Sequence, residues 1–133
     1  MILSNIEDAL EHNQPDKKTG VKLALLAGDE ETSVFAIELQ EGQSIPAHYH
    51  TAGIETYFIL QGEGVVSTGE MQGNRVNWKS KERVKSGDSF TIHPHEVHKF
   101  QNISHQPLRI LATAPLSHSG HDRIFVEDTQ LIN

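Results

Sequence analysis

The sequence predicts an all-β barrel or sandwich of antiparallel strands, with one short helix near the N-terminus. Apolar residues recur with a period of two in many short runs, as they do on half-buried strands. Turns containing Gly or Pro separate these runs at close spacing, and only one segment has the apolar spacing of a helix. A chain of 133 residues can bury a core of its own, so we expect a single domain over residues 1–133.

The composition argues against several classes of partner and site. A formal net charge of −7 argues against nucleic acids and anionic membrane surfaces as partners. The chain has no cysteine, which excludes disulfides, thiolate metal ligands and a cysteine nucleophile. No apolar run reaches the length of a membrane span, and the first residues lack the pattern of a signal peptide. We therefore expect a soluble, cytoplasmic protein that contacts no membrane.

The first predicted element is a short helix that ends near Asn13. Ser4 followed three residues later by Glu7 has the pattern of a capping box. The apolar side chains of this segment form one stripe: Ile6, Ala9 and Leu10. We expect that stripe to pack across one end of the barrel.

Two antiparallel strands are predicted next, because the apolar period changes from helical to two. Alternate apolar residues share one face of the first strand: Val21, Leu23 and Leu25. A turn at residues 28–31 follows, and alternate apolar residues then share one face of the second strand: Phe35, Ile37 and Leu39. These faces are expected to line the core.

The stretch over residues 42–62 carries two histidines in strand spacing. Successive strand side chains point to opposite faces, so His48 and His50 share one face. The break at Ala52–Gly53 reverses the chain, and a β-rich run starting at Glu55 returns beside it. This return can bring the carboxylate onto the face of the two imidazoles.

Tyr57 lies on the same predicted strand face as Glu55, two residues further on. Two interpretations stay open for its phenol. It can fill barrel volume and hydrogen-bond locally, or it can act as a proton donor or substrate contact.

Residues 63–86 are predicted as two strands joined by a loop at residues 69–74. Four basic side chains alternate along the second strand: Lys79, Lys81, Arg83 and Lys85. Such a row is typical of a solvated face or a guarded sheet edge, and it can also steer an anionic ligand. Trp78 begins this strand and indicates a packing anchor or a subunit contact.

The stretch over residues 87–102 supplies a candidate fourth ligand. Gly87–Asp88 forms a turn pair, Pro94 interrupts the strand that follows, and a second strand starts near His98. Three neutral imidazoles and one carboxylate around an open position suit a divalent transition metal. Imidazole binds Zn, Cu, Fe and Ni, and carboxylate also admits Mn.

The C-terminal part begins with a last barrel strand over residues 108–113, which Pro115 ends. The tail that follows is polar apart from the apolar run at residues 124–126. This run needs cover, and we expect it to dock on the chain's own barrel or on a neighbouring subunit.

The two histidine-bearing stretches together resemble the signatures of the cupin superfamily. The matching positions are Gly42, His48, His50, Glu55 and Gly62 in the first signature, and Gly87, His98 and Asn102 in the second. Two positions differ from the usual pattern, because His93 replaces a proline and His95 replaces a glycine. These two histidines flank a turn, so they can contribute to the mouth of the site or only to the loop.

The resemblance implies a double-stranded β-helix, or jelly-roll barrel, and a homodimer. It implies one divalent metal (Fe, Zn, Ni or Mn) inside the barrel, held by His48, His50, Glu55 and His98. It also implies that Glu55 can act as a catalytic base and that Tyr57 can be catalytic, while Asn102 supports a ligand or the turn. The remaining histidines are expected to be ordinary surface residues: His12, His105, His118 and His121.

Three functions from different classes stay open at this point. The first is a metal-dependent enzyme of dioxygenase, isomerase, decarboxylase or lyase type, acting on a small polar or anionic molecule that the barrel can hold. The second is a non-catalytic module that binds a metal or a small molecule. The third is a regulatory sensor domain, which we rank last because no segment is basic and helical enough for a DNA-binding helix pair.

Overall fold

A computed structural model describes residues 1–128 of the chain, and it confirms the predicted all-β jelly-roll barrel. The elements in chain order are α1 (Ile6–His12), β1 (Lys22–Gly28), β2 (Ser33–Leu39), β3 (Ser44–Tyr49), β4 (Glu55–Gln61), β5 (Glu63–Gln72), β6 (Arg75–Lys85), β7 (Ser89–Ile92), β8 (Val97–Asn102), β9 (Leu108–Ala114), a 3₁₀ turn (Leu116–Ser119) and β10 (Ile124–Phe125).

The strands form two five-stranded antiparallel sheets that pack face to face. The first sheet has the order β1-β2-β9-β4-β7, and the second has the order β10-β3-β8-β5-β6. Neither helical segment within residues 1–128 has the length and apolar character needed to cross a membrane.

The core lies between the sheets and fills one end of the barrel more completely than the other. Strand β9 shows why, because its inward-facing residues change in size along the strand. Leu108 and Ile110 are 0% exposed at the filled end, whereas Ala112 and Ala114 face inward at the opposite end. Burying a large aliphatic side chain contributes roughly 1.5–3 kcal/mol, so the filled end provides much of the stability. The alanines leave space for a site.

The N-terminal helix differs from its prediction in its cap and in its place on the barrel. Asn5, not Ser4, is the N-cap, and its side chain accepts hydrogen bonds from the backbone N–H groups two and three residues later, at 3.0 and 3.2 Å. The apolar stripe is confirmed, but it covers Ala24 and Ala36 on the outer face of the first sheet instead of a barrel end. Strand alternation turns these two alanines outward, and the helix buries the shallow apolar patch that they form.

The hairpin between β5 and β6 is longer than predicted. The expected loop at residues 69–74 is wrong, because β5 continues to Gln72 and only Gly73–Asn74 turn the chain. Gly69 lies at an irregularity in the strand pairing, where an added Cβ would be 2.4 Å from the carbonyl oxygen of Asn77. This glycine therefore allows a close approach of two strands at a bulge.

The basic row on β6 is a solvated strand face. Lys79 pairs with Glu70 at 3.4 Å and Arg83 pairs with Glu63 at 2.9 Å, and all four side chains are more than half exposed. Exposed pairs of this kind contribute little to stability. The neighbouring acidic residues also reduce the field that this row could present to an anionic ligand.

The C-terminal residues 115–128, which we call the strap, fold back over the second sheet. Strand β10 within the strap pairs antiparallel with the end of β3, and the N–H of Val126 donates to the carbonyl of Ala47 at 3.1 Å. Trp78 donates from Nε1 to the carboxylate of Asp128 at 3.0 Å, with the ammonium of Lys99 4.5 Å from its ring centroid. Strand pairing thus docks the apolar run at 124–126 on the chain's own barrel, but Ile124 stays 37% exposed. Trp78 ties the end of the strap to the second sheet through Asp128.

Candidate metal centre

Strand pairing brings the four predicted metal ligands to the open end of the barrel. In the second sheet, His48 on β3 lies directly opposite His98 on β8, and His50 follows immediately after β3. In the first sheet, Glu55 is the first residue of β4 and faces the three imidazoles. All four side chains are buried, and His98 is 0% exposed.

The distances between these groups are short and similar. Glu55 Oε1 lies 3.2 Å from His50 Nε2, and Glu55 Oε2 lies 3.2 Å from His98 Nε2. The imidazole of His48 completes the group, with one nitrogen of each of the three rings within 4.8 Å of the others. The cluster of histidines and glutamate could therefore hold a metal ion.

Each of the three rings is oriented by a hydrogen bond to a backbone carbonyl. His48 Nδ1 bonds to Pro46 O at 2.7 Å and His98 Nδ1 bonds to Glu96 O at 2.9 Å. His50 Nδ1 makes the same kind of bond to the carbonyl of Asp122. A carbonyl oxygen only accepts, so each Nδ1 carries the hydrogen and a neutral ring presents the lone pair of Nε2 to the site. This arrangement is typical of metal-binding histidines.

The inward nitrogens lack the partners that buried polar atoms need. Nε2 of His50 and Nε2 of His98 are buried without a hydrogen-bond partner among residues 1–128. Their contacts with Glu55 lack the alignment of a hydrogen bond, and a lone pair facing an ionised carboxylate is unfavourable unless a proton or a cation lies between them. Ligands bound about 2.1 Å from one metal at right angles lie roughly 3.0 Å apart, so the spacing fits a divalent cation.

The protonation states suit a metal site. Burial, reinforced by the neighbouring His98, lowers the pKa of His48 to about 3, so this ring is neutral at physiological pH. Burial alone would raise the pKa of Glu55, but hydrogen bonds from the rings of His118, His50 and His98 hold it well below its usual range when those rings carry a proton toward it. A cation in place of these protons would keep the carboxylate ionised in the same way. A neutral imidazole and an ionised carboxylate are the forms that bind a metal.

Tyr57 is fully enclosed beside Glu55. Its hydroxyl donates a hydrogen bond to Glu55 Oε2, and its ring stacks on Phe90 with 5.2 Å between centroids. Burial and the adjacent carboxylate raise the pKa of Tyr57 well above its usual value, so the phenol keeps its proton. The tyrosine therefore fills barrel volume and holds the carboxylate in place.

His118 does not lie on the surface, so the expectation for this histidine is wrong. It is 4% exposed, its Nδ1 lies 3.1 Å from Glu55 Oε1, and its ring stacks on that of His50 with centroids 4.0 Å apart. It enters the site from the 3₁₀ turn of the strap, outside both histidine-bearing stretches. No local spacing in the sequence marks it, because contacts distant along the chain set its position.

The strap is attached beside the site by Asp122. This carboxylate accepts hydrogen bonds from the N–H and the hydroxyl of Thr51, both at 2.8 Å, and from the N–H of Ala52 at 3.0 Å. Burial would raise the pKa of Asp122, but these bonds lower it below its ordinary value. The residues that reverse the chain after His50 therefore also hold the strap.

A second attachment joins the strap to the connection before β1. Arg123 forms a two-pronged pair with Asp16, at 2.9 and 3.1 Å. Burial alone would raise the pKa of Asp16, but the hydrogen bonds and charge of Arg123 lower it below its ordinary value. The guanidinium and the carboxylate are both largely buried.

The two unusual histidines of the second stretch lie outside the cavity. His93 and His95 are exposed, and neither lines the space around Glu55. His95 has φ of 67°, and within residues 1–128 it is the single non-glycine residue with positive φ. It occupies the position where the resemblance predicts glycine, and its N–H donates to the carbonyl of His50 at 2.7 Å. The turn thus has the left-handed backbone for which glycine is favoured.

The remaining predicted positions have structural roles. The side chain of Asn102 donates to the carbonyls of Leu39 and Gln106 at 3.1 and 2.9 Å, so it supports the turn at the far end of the barrel instead of a ligand. The other three histidines expected at the surface are exposed: His12, His105 and His121.

A cavity of about 50 Å³ lies between the sheets next to the cluster. Apolar strand residues form one part of its wall, and the polar part consists of Thr19, His48, His50, Glu55, Tyr57, His118, Ser119 and Arg123. Pockets for drug-sized ligands are typically about 300–1,000 Å³. The space therefore suits a ligand of a few non-hydrogen atoms.

The fold and the cluster agree with the sequence comparison. The family model described as "Cupin domain" matches residues 35–114, which is more than half of the chain and includes the four predicted ligands. The chain belongs to the cupin family. This cupin is also 32% identical over 93 residues to the uncharacterized protein MJ1618 of Methanocaldococcus jannaschii. The match covers 68% of this cupin and 61% of that relative, so it spans about three fifths of the relative's length.

Solved structures share the fold of this cupin at low sequence identity. A conserved double-stranded β-helix protein of Klebsiella pneumoniae has a TM-score of 0.70 at 18% identity, covering 96% of this chain and 99% of that one. A predicted oxalate decarboxylase of Thermotoga maritima has a TM-score of 0.65 at 23% identity, and the match covers 87% of this chain and 99% of that one. Drosophila melanogaster CENP-C, solved bound to CAL1, has a TM-score of 0.62 at 14% identity, covering 71% and 70%.

Proposed function

We propose that this cupin is a metal-dependent enzyme that acts on a small polar or anionic molecule. One divalent transition metal (Fe, Zn, Ni or Mn) is held by His48, His50, Glu55 and His98. The observation that carries this proposal is the pair of buried ring nitrogens, Nε2 of His50 and Nε2 of His98, that converge on Glu55 without a hydrogen-bond partner within residues 1–128. The ring of His48 lies beside them, and each of the three rings is oriented through its other nitrogen. A divalent cation provides the positive charge that these lone pairs and the carboxylate lack.

The charge of the loaded site indicates the chemical class of the substrate. Three neutral imidazoles and one carboxylate leave a divalent ion with a net charge of about +1, which favours an anionic oxygen ligand. A 2-oxo acid, a hydroxy acid or an enediolate has such oxygens, and the small cavity restricts the choice to compact members of these groups. When bound, the metal would supply Lewis-acid polarisation of the substrate for isomerase, decarboxylase or lyase chemistry, or, if it is iron, redox chemistry with O₂ for a dioxygenase.

Glu55 and Tyr57 are the residues to which we assign catalytic roles. The carboxylate of Glu55 is ionised and lies against the cavity, so it can bind the metal. Its lowered pKa makes it a weak base while the imidazoles surround it, so we assign it proton transfer only after it leaves them for a bound substrate. The protonated phenol of Tyr57 donates to Glu55 and lines the same cavity. Its hydrogen bond orients the carboxylate, and the same proton can be shared with a substrate oxygen.

Elemental analysis of the protein, purified without chelators or metal-affinity columns, tests the metal site. We expect one dominant transition metal near one ion per chain in the wild type and a loss of that metal in His98→Ala. The control is His105→Ala, because His105 is exposed and pairs with Glu41 away from the cluster. No metal in the wild type, even after anaerobic reconstitution, would contradict the proposal.

The reaction is tested on compact acids once the metal is known. Oxalate is among the first candidates, because one protein of similar fold is a predicted oxalate decarboxylase. We expect turnover that a chelator abolishes and one metal restores. Glu55→Gln should lose turnover, and Tyr57→Phe should show a lower kcat with a smaller change in metal content.

A second candidate function is a non-catalytic binding module, and the enclosure of the site favours it. The cavity is small, and the proton of Tyr57 is already engaged by Glu55. If the protein binds one metal ion per chain but turns over none of the compact acids, the result would support the binding module over the enzyme. The homodimer and the cytoplasmic location stay predictions, and sedimentation analysis of the purified chain tests the first.

A further inference from the structure

Four buried histidines, and not only the three on barrel strands, share one hydrogen-bonding arrangement. The Nε2 of His118 bonds to the carbonyl of Ala52, just as the other three rings bond to carbonyls through Nδ1. The carbonyl only accepts, so Nε2 carries a hydrogen and Nδ1 is the atom that faces the site. Burial lowers the pKa of His118, but Glu55 and the carbonyl of Ala52 raise it above its ordinary value, so a proton on Nδ1 is favoured without a cation and a metal would have to replace that proton. This Nδ1 is buried and has no hydrogen-bond partner within residues 1–128.

The inward nitrogen of His118 belongs to a second group of possible ligand atoms, with His50 and Glu55, and this group shares His50 with the group of the three strand histidines. The His118 nitrogen lies 3.1 Å from Glu55 Oε1, and the same oxygen lies 3.2 Å from His50 Nε2. One donor atom from each of these three residues falls within 4.8 Å of the others. The contact with Glu55 lacks hydrogen-bond alignment, and its length is close to the roughly 3.0 Å between neighbouring ligands of one metal.

The ring of His118 is held in this place by the surrounding backbone. Gly53 has φ of +78°, and a Cβ at this position would lie 2.5 Å from the ring of Pro115, at the start of the strap. On the other side of His118, Asp122 bonds to Thr51 and Ala52. The chain is therefore fixed against the 51–53 turn both before His118, at Pro115, and after it, at Asp122. A preorganised ring of this kind loses little further freedom when it binds a ligand.

We propose that His118 is a fifth protein ligand of the metal, delivered by the strap. This inference rests on the proposed metal-dependent function. A six-coordinate metal would then keep one open position instead of two. A substrate that chelates through two oxygens would therefore have to displace the ring of His118.

Cobalt binding to the metal-free protein tests this assignment directly. The proteins are the wild type, His118→Ala and the matched control His121→Ala, which removes an exposed histidine from the same strap. We expect X-ray absorption of the Co²⁺-loaded proteins to count four imidazoles in the wild type and in His121→Ala, but three in His118→Ala. Calorimetric titration should show that the Kd for Co²⁺ is about 100-fold higher in His118→Ala than in the wild type. Loss of a residue that only supports a ligand typically raises the Kd by about 10- to 100-fold, so the expected change lies at or above that range.

Hydrogen exchange gives a second readout that a merely structural role would not produce. Co²⁺ should slow amide exchange over residues 116–122 in the wild type, because the ion ties the strap to the barrel. The same ion should leave exchange in this segment unchanged in His118→Ala. His118→Gln replaces the alanine variant if thermal unfolding shows that His118→Ala does not fold, and we expect the same loss of Co²⁺ affinity.

The outcomes separate this inference from the proposed function. Three imidazoles in the wild type, or the same Co²⁺ affinity in His118→Ala, would overturn the assignment and leave His118 as a partner of Glu55 alone. In that case a loss of Co²⁺ in His98→Ala would still support the metal site. A wild type that binds no Co²⁺ would overturn both.

Discussion

The strand histidines and the strap histidine reach Glu55 and His50 by different physical means. His48 and His98 face each other across the β3–β8 pair, so strand alternation and pairing register set their positions. His118 lies on a 3₁₀ turn, and its position depends on contacts with the 51–53 turn of the barrel. A strand residue is held by many equivalent bonds along its ladder, whereas a strap residue depends on a few separate anchors. A single substitution should therefore be able to detach the strap from the barrel, but not to displace the strand histidines.

Removal of the strongest anchor of the strap should give the largest effect. Asp122→Ala deletes an acceptor of three hydrogen bonds and leaves two backbone N–H groups beside the site without it. We expect the free energy of unfolding to fall by about 2–4 kcal/mol, which urea denaturation measures. Asp122→Asn keeps one oxygen acceptor and should lose less. An unchanged free energy in Asp122→Ala would show that the strap is held elsewhere.

The second anchor of the strap is the Asp16–Arg123 pair, and its contribution to the free energy of unfolding should depend on pH. The folded-state pKa of Asp16 lies below its ordinary value of 3.8, because the pair with Arg123 and the hydrogen bonds from Thr19 together outweigh burial. The pair therefore contributes its full stability above about pH 4 and loses it as the pH falls through the lowered pKa.

Unfolding of the wild type and Asp16→Asn at several pH values tests this contribution. At pH 7 we expect the variant to be less stable by about 1–2 kcal/mol. That difference should be constant down to about pH 4 and should shrink below it. Asp29→Asn is a suitable control, because Asp29 is an exposed turn residue away from Arg123. A difference that grows on acidification would contradict the ion pair.

The turn before β8 offers the smallest expected change, and this change is a gain in stability. A non-glycine residue in the left-handed region loses about 1–2 kcal/mol relative to its preferred backbone, and His95 has φ of 67°. His95→Gly relieves that strain and should raise the free energy of unfolding by about 1 kcal/mol after the greater entropy of the unfolded glycine is counted. Metal content should stay the same, because His95 lies outside the cavity.

The matched control for this change is His93→Gly. His93 is also exposed in the same turn, but its φ is not positive. This variant should be neutral or less stable. Equal effects of the two glycine substitutions would show that the left-handed backbone at His95 carries no strain.

Strands were predictable from the sequence where the apolar period of two and the flanking Gly or Pro turn residues indicate the same bounds. The barrel strands that carry His48, Glu55 and His98 combine a period of two with nearby Gly or Pro turns, and the structure places all three side chains at one end. The loop predicted at 69–74 was wrong because a glycine within a strand has the same local signal as a glycine in a turn. The approach of the partner strand decides between them, and Gly69 belongs to a bulge.

The helix cap shows a similar limit on a smaller scale. Ser4 and Asn5 are both good N-cap residues, and the pattern with Glu7 favoured Ser4. The structure uses Asn5. The helix also had an apolar stripe that could have covered several surfaces, and the outward alanines of β1 and β2 decide where it packs.

The sequence by itself determined the all-β barrel and placed His48 and His50 on one strand face with Glu55 returning beside them, because strand alternation and turn chemistry are local and periodic. That His98 joins them followed from the resemblance to the cupin signatures. Only the tertiary structure decided that His118 lies against Glu55, that the strap pairs with β3 beside the cluster, and that the cavity is about 50 Å³. These features come from contacts between residues more than 60 positions apart, such as His118 with Ala52 and Asp122 with Thr51. Such contacts follow no periodic pattern along the chain, so they cannot be predicted from a single sequence.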